Sequence, residues 1–492
     1  MIQSIVVLGG GSAGLIAALT LKRRLPEVAV RVVRSAEIGI IGVGEGTTAF
    51  FPKHLFEYLR LSQRQFYAEA EPTWKLGLRF IWGPRDDFFY NFSAEHDYRY
   101  PELSRYTGFY QDRDVRWVGP TSALMAHDKA FPRRADGKPD FSILFAFHIE
   151  NAKLVRWLES TCRALGVEIS EGTMSDAERA GDGIAALRLE SGERVAADFF
   201  VDASGFRSEL VGRVLGEPQI SYARTLLCDR AIIGGWPRTD EPIHPYTLCE
   251  TMDAGWCWQI EHERWINRGY VYSSRFLDDD SARTELLRKN PKIANEPRLV
   301  KFPSFRLARN WVGNVVAIGN ASGFVEPLEA TALSAICVQV RTVAETLADS
   351  AGETTPSMVR ICNELNANAW DDIRDFLGVH YAFNTRLDTP FWQTCRGEID
   401  LAGAARIIEY YRENGPTSLG KHILTSATNS FGLDGYLALL VGQMVPHARP
   451  DLANPEETKA WRSRLALLAA EAKRGFTVGQ TLQAIRGPGW KW

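Results

Sequence analysis

The chain lacks any apolar run approaching the ~20 residues needed to span a bilayer, and it lacks blocks of like charge. Lys and Arg number 57 against 60 Asp and Glu, for a formal net charge of -3. Such scattered, balanced charge argues against nucleic acid and anionic membrane as main partners. Seven cysteines (Cys162, Cys228, Cys249, Cys257, Cys337, Cys362, Cys395) lie far apart with no C-x-x-C pair. They form neither a zinc framework nor a disulfide scaffold, so reduced thiols and a cytoplasmic location are expected. No charged leader precedes the first apolar residues, 5–8, and a glycine turn follows them at once, so no signal peptide is read. His148, His262 and His380 do not cluster at metal spacing; structural or surface roles are expected for them, and no metal. A Ser-His-Asp order, a P-loop, repeats and low-complexity tracts are also missing.

What is present begins with length: 492 residues can bury a substantial core. Fourteen tryptophans serve that core and also make an aromatic-lined pocket easy to build. Residues 3–8 read as a buried strand, broken by Gly9-Gly10-Gly11-Ser12-Ala13-Gly14; residues 15–25 read as a helix and residues 29–33 as a second strand. This β-turn-α-β unit has the length of a dinucleotide-binding motif. In Gly9-x-Gly11-x-x-Gly14 the glycines allow a tight turn, close approach of a diphosphate and close helix–strand packing. The helix N-terminus adds partial positive charge. Gly9, Gly11, Ser12, Ala13 and Gly14 are therefore expected to hold a diphosphate. The acid that usually meets the ribose after the second strand is missing, because Arg34 stands there; Glu37 is the candidate substitute.

Residues 151–165 read as a helix with Asn151 as N-cap and Gly166 as stop, followed by a strand at 167–170 and a hairpin around 181–192. Two later strands end in Phe199-Phe200-Val201-Asp202-Ala203-Ser204-Gly205 and Val315-Val316-Ala317-Ile318-Gly319-Asn320-Ala321. Their spacing resembles the later flavin motifs of aromatic-hydroxylase-type flavoproteins, which makes FAD rather than NAD the expected cofactor, with Asp202, Gly319 and Asn320 on it. That pattern has Gly-Asp at the second motif; Asn320 still offers a hydrogen bond to a ribityl or ribose hydroxyl, without charge. Residues 220–305 alternate in a way that suggests sheet, and beyond residue 345 the pattern is helical. The expected fold is α/β: an FAD-binding Rossmann-like domain of the aromatic-hydroxylase type, with inserted β-sheet segments and a helical C-terminal part. The expected division is a flavin module over 1–345, with substrate-side insertions at about 75–145 and 220–305, and a helical region over 346–492 that completes the substrate site.

Several further blocks resemble the flavin-dependent tryptophan halogenase family. They are Ile41-Gly42-Val43-Gly44-Glu45-Gly46-Thr47, Thr73-Trp74-Lys75-Leu76-Gly77-Leu78-Arg79-Phe80, Tyr270-Val271-Tyr272-Ser273-Ser274-Arg275-Phe276, Phe324-Val325-Glu326-Pro327-Leu328-Glu329 and Asp388-Thr389-Pro390-Phe391-Trp392. They span most of the chain in the family's order. The resemblance implies reduced FAD supplied by a separate flavin reductase, O2, and chloride or bromide. Hypohalous acid so formed travels to a distant electron-rich aromatic, an indole or phenol, free or bound to a carrier or peptide. It places Gly44 and Glu45 on the flavin side. It makes Lys75 the lysine that activates the halogen, by hydrogen bond or as a haloamine, and Glu329 the acid that assists deprotonation of the ring. Pattern alone reads Lys75 as a solvated strand residue, sharing a face with Gly77 and Arg79. The family's tendency to dimerise is carried as an expectation for this chain.

Two blocks depart from the family. Its F-x-x-P-x-x-S-x-G becomes Phe324 to Ala332, with Ala330 for the serine and Ala332 for the terminal glycine. Backbone amides at Thr331 and Ala332 are the expected halide site, where a Cβ at 332 restricts positive φ. Its W-x-W-x-I-P becomes Trp256-Cys257-Trp258-Gln259-Ile260-Glu261, so a rigid proline gives way to a charge. Trp256 and Trp258 stand open between packing and separation of substrate from flavin. These departures keep two alternatives: a flavin monooxygenase that hydroxylates an aromatic on a halogenase scaffold, and a flavoprotein that modifies a peptide or protein partner. The final Gly487-Pro488-Gly489-Trp490-Lys491-Trp492 is either a docking tail or an aromatic tail packed on its own domain.

Overall fold

The computed structural model describes every residue except 1, 36–43, 93–102, 105–107, 112–118, 425–428 and 450–453. The chain divides into two compact units, each assembled from separated segments.

The first unit comprises Met1–Glu71, Ile149–Ala223 and Phe302–Asp371. A strand, a glycine turn and a helix return the chain to lay a second parallel strand beside the first, as right-handed crossovers require. Ser4–Leu8 pairs with Ala29–Arg34 on one side and with Phe199–Asp202 on the other. The six-stranded order is Trp311–Val312, Val315–Ala317, Phe199–Asp202, Ser4–Leu8, Ala29–Arg34, Glu168–Glu171, parallel except for the first pair. Register sets Leu8 beside both Val33 and Asp202, and Asp202 beside Ala317, so the inner strands end level. The order reverses at Ser4–Leu8, and the crevice beyond the strand ends at such a reversal is where open α/β sheets bind ligands. Helix Ser12–Arg24 packs against helices Asn151–Ala164 and Ala332–Asp349. Its run from Gly14 to Leu21 is buried all round, which explains its apolar composition on every side.

The second unit comprises Pro72–His148, Arg224–Lys301 and Asp372–Trp492. Its seven-stranded sheet runs Arg298–Lys301, Arg230–Pro237, Trp265–Tyr272, Gly255–Glu261, Tyr246–Met252, Gly77–Ile81, Phe88–Asn91. A separate pairing joins Thr73–Lys75 to Ala146–Ile149, antiparallel, with Thr73 opposite His148 and Lys75 opposite Ala146. The single strand expected to carry Lys75, Gly77 and Arg79 on one face is thus two strands in two sheets, and Leu76 is the joint: its N–H donates to the Pro245 carbonyl at 2.7 Å. One helix interrupts the sheet expected over 220–305, Asp279–Lys289, capped by Asp278 at the N–H groups of Asp280 and Ser281. The helices Pro390–Gly397, Ala404–Asn414, Gly432–Gly442, Pro455–Lys473 and Val478–Arg486 belong to this unit. Trp82, Tyr381 and Trp392 form its aromatic centre, with Trp392 stacked on Tyr381 at 5.7 Å and edge-on to Trp82 at 5.3 Å. The C-terminal tail packs on its own unit through Trp490 and Phe141, 5.5 Å apart. No helix among the described residues is long and apolar enough to cross a membrane.

Candidate active site

Within the first unit, three turns converge at the level strand ends. Gly9 has φ +123°, and a Cβ there would overlap the carbonyl oxygen of Ala203. Gly319 has φ +55°, and a Cβ would come within 3.0 Å of the Ala13 methyl. A Cβ at Gly14 would overlap the Gly9 carbonyl, so this glycine lets the helix sit on the strand. Gly11 differs: a Cβ there would meet nothing within 4 Å. Internal packing does not require that glycine, whereas a diphosphate lying against the backbone does. Gly10 serves Arg34, whose side chain would lie 2.6 Å from a Cβ at that position. Arg34 itself donates to Glu171 and Glu159, each at 2.7 Å, so it is tied within the unit. Glu37, and residues 41–43 of the loop expected on the flavin side, lie outside the described residues.

Asp202 is fully buried and holds the neighbouring turn. Its carboxylate accepts from Ser204 N–H at 3.1 Å, Ser204 Oγ at 2.5 Å, Leu210 N–H at 2.7 Å and Val211 N–H at 3.0 Å. Burial lifts its pKa, and these bonds oppose the lift. Gly319 N–H donates to Gln339 Oε1 at 2.8 Å, while the Gln339 amide donates to Ser322 and Asn366. Asn320 is half-buried beside this turn, and its side chain makes no hydrogen bond to the described residues. An amide of that kind suits a ribityl or ribose hydroxyl. The residues present therefore fit a flavin dinucleotide.

Gly44, at φ +88°, precedes the short strand Glu45–Gly46. The Glu45 carboxyl is enclosed enough that desolvation pushes its pKa up to about 7. Asn151 is not the cap of its helix; Glu150 occupies that position, and the Asn151 side chain reaches elsewhere. It accepts from Ser12 Oγ at 3.0 Å and donates to Glu45 at 3.4 Å.

The segment from Phe324 to Ala332, expected to hold the halide, also lies in the first unit. Glu326 and Glu329 are buried, 1% and 2% exposed. Ala330 N–H donates to the Pro327 carbonyl, and the left-handed residue is Ala330, at φ +55°. Ala332 is not left-handed: it is the first residue of helix Ala332–Asp349, with Thr331 as an N-cap whose side chain caps nothing. The Cβ gained at 332 therefore costs no backbone strain. The exposed-donor end of an 18-residue helix faces this loop, and such an end favours an anion.

Within the second unit, Lys75 is 0% exposed, so the solvated reading of it is set aside. Its Nζ lies 5.3 Å from the centroid of the Phe92 ring. Burial, then the charges of Lys75, His262 and Arg238, hold His148 well below the usual histidine pKa. His148 Nε2 meets Thr247 Oγ1 at 2.8 Å, so this histidine is a buried neighbour of the candidate lysine rather than a surface residue. Glu261 is buried and paired with Arg238, and it accepts from Gln259 at 2.6 Å. Its charge is spent within the unit. Trp256 and Trp258 are buried with rings 6.0 Å apart, and Trp258 lies where a side chain on Gly269 would otherwise be.

A parallel sheet with a glycine turn after its first strand, and further turns meeting that turn, defines a dinucleotide-type α/β oxidoreductase fold. The sequence model of the tryptophan halogenase family matches residues 4–456. The tryptophan 7-halogenase of Kutzneria sp. (strain 744) is 33% identical over 452 residues, covering 85% of this chain and 83% of the relative. The crystal structure of MibH, described as a lanthipeptide tryptophan 5-halogenase, superposes with TM-score 0.90 at 36% identity, over 98% of this chain and 93% of the other. The tryptophan 6-halogenase SttH of Streptomyces toxytricini gives TM-score 0.88 at 28% identity, over 98% and 100%. The chain belongs to the tryptophan halogenase family, whose members are flavin-dependent halogenating enzymes working with a separate flavin reductase.

Proposed function

We propose that this enzyme uses FADH2, O2 and chloride or bromide to halogenate an indole through hypohalous acid, in the cytoplasm, where its seven buried thiols stay reduced. The observation that carries the reading is the fully buried Lys75 in a chain whose glycine turn leaves the space at Gly11 open. The indole is that of a tryptophan within a peptide. Over 98% of the chain in each case, the structural alignment gives 36% identity to the lanthipeptide halogenase against 28% to SttH, a relative named for tryptophan itself, which favours this form over the free amino acid.

The bound flavin supplies the two-electron reduction of oxygen from which the oxidised halogen arises. The rest falls to the chain's own residues. Gly9 to Gly14 and the helix end hold the diphosphate, and Asn320 bonds a hydroxyl of the ribityl or ribose. Backbone N–H groups at Thr331 and Ala332 hold the halide at the positive end of their helix. The Lys75 ammonium donates to hypohalous acid, or its amine takes the halogen and releases water. Burial excludes competing water from that lysine and strengthens its hydrogen bond. The ring carbon then bonds the halogen as the halogen–oxygen or halogen–nitrogen bond breaks, and Glu329 accepts the ring proton.

The test supplies enzymatically reduced FAD, oxygen and bromide with a tryptophan-containing peptide and, separately, free tryptophan. The expected result is a bromine isotope pair on the peptide. Lys75→Ala should lower that product by at least about 10²-fold while FAD binding persists. A product gaining one oxygen regardless of bromide would overturn halogenation, and wild-type product from Lys75→Ala would remove the lysine from its role.

A further inference from the structure

Three segments remote in sequence meet at one buried amide. Ser12 opens the helix that follows the glycine turn, Glu45 follows Gly44 in the flavin-side loop, and Asn151 opens a third element, the helix Asn151–Ala164. Asn151 is 6% exposed. Its oxygen takes the Ser12 hydroxyl at 3.0 Å and its nitrogen reaches Glu45 at 3.4 Å. An asparagine that opens a helix commonly sits at the cap position, one residue earlier, where its short side chain reaches the free N–H groups. Here the cap position belongs to Glu150, which makes no side-chain cap bond, and the amide is turned toward the other two segments.

We propose that Asn151 is a positioning residue for the flavin, a clamp that fixes the spacing between the diphosphate turn at Ser12 and the flavin-side loop at Glu45. The inference rests on the flavin-binding reading of these two segments. The amide has one acceptor and one donor end, so it can bridge a hydroxyl and a carboxyl, neither of which bonds another side chain among the described residues. A cofactor that must touch both segments then finds them already set, and binding does not have to meet the ordering cost. Ser12 is engaged through its side chain, which leaves its backbone N–H and that of Ala13 directed by the turn alone.

Equilibrium FAD affinity of the purified apoprotein, read by quenching of flavin fluorescence, tests this without turnover. Asn151→Ala should weaken FAD about 10-fold, the loss expected when bonds worth about 1.4 kcal/mol are removed. Ser12→Ala should weaken it similarly, and the double variant should be no worse than either single one, because both cut the same bridge. Asn151→Asp sets a second carboxyl against Glu45 and should bind worse than Asn151→Ala; Asn151→Gln should recover part of the loss. A purely structural residue would instead lower the melting temperature of the apoprotein and leave the affinity of the folded fraction unchanged. Wild-type FAD affinity in Asn151→Ala, or fully additive losses, would overturn the clamp. Wild-type protein that binds no FAD would overturn the flavin reading itself.

Discussion

Ala330 sits in a backbone region that an L-residue enters at a cost of about 1 kcal/mol or more, with φ +55° and its N–H turned to Pro327. By sequence, the family's glycine position at 332 was the place to expect a left-handed residue, yet 332 begins a helix. The consequence can be measured. Ala330→Gly should raise the unfolding free energy by about 1 kcal/mol, while Ala332→Gly should lower it by roughly 0.4–1 kcal/mol by loosening the unfolded chain. Urea titration of the two variants decides; stabilisation by Ala332→Gly would place the strain at the other residue. Glu261 shows the same dependence on context. As a letter it reads as a charge gained beside two tryptophans, and in the fold Arg238 neutralises it out of water.

At the scale of elements, the first βα turn separates two kinds of glycine. Gly14 is needed by the protein itself, since a Cβ would overlap the Gly9 carbonyl and lie 3.3 Å from Val7. Gly11 is needed by whatever lies outside, since its Cβ would meet nothing. Gly14→Ala should therefore destabilise the apoprotein by roughly 1–3 kcal/mol, the range for overpacked sites. Gly11→Ala should leave apoprotein melting unchanged and cost FAD at least about 10-fold in affinity. If Gly11→Ala bound FAD normally, the turn would not be a diphosphate cradle. This turn was legible because its chemistry is local: strand, glycines and helix follow one another within a few residues. The strand ends at Asp202 and Ala317 were legible too, as short apolar runs closing on glycine. The side chains that brace the site were not. Gln339 supports Gly319 from twenty positions away, and Asn151 meets Glu45 across 106. Nothing adjacent to either residue signals its partner. Splitting of residues 73–81 into two sheets at Leu76 was not legible for a different reason: Trp74, Leu76, Leu78 and Phe80 alternate with Lys75, Gly77 and Arg79 straight through the joint, so the pattern reads as one strand.

On the scale of the whole molecule, two desolvated groups of the first unit, half-buried Glu45 and buried His54, bind protons differently when folded, and they pull stability in opposite directions with pH. Desolvation raises Glu45 from its ordinary 4.5 to about 7. The folded state then holds a proton that the unfolded state has released, so stability is fully present below pH 4.5 and falls as pH rises toward 7. His54 is lowered from 6.5 to about 4 by desolvation and the charge of Arg341, with its Nε2 against Thr20 Oγ1 at 3.0 Å. Here the unfolded state takes the proton first, so stability is present above pH 6.5 and falls as pH drops toward 4. Glutamine mimics the neutral form of each group without titrating. Relative to wild type, Glu45→Gln should gain melting temperature on going from pH 5 to pH 8, and His54→Gln should gain it on going from pH 8 to pH 5. Thermal melts of the three apoproteins at both pH values read this directly. Because each variant is compared with itself at the other pH, any constant cost of the substitution cancels. Parallel shifts at the two pH values would mean that neither group changes its proton affinity on folding, and the enclosure of Glu45 beside the Asn151 amide would lose its electrostatic consequence.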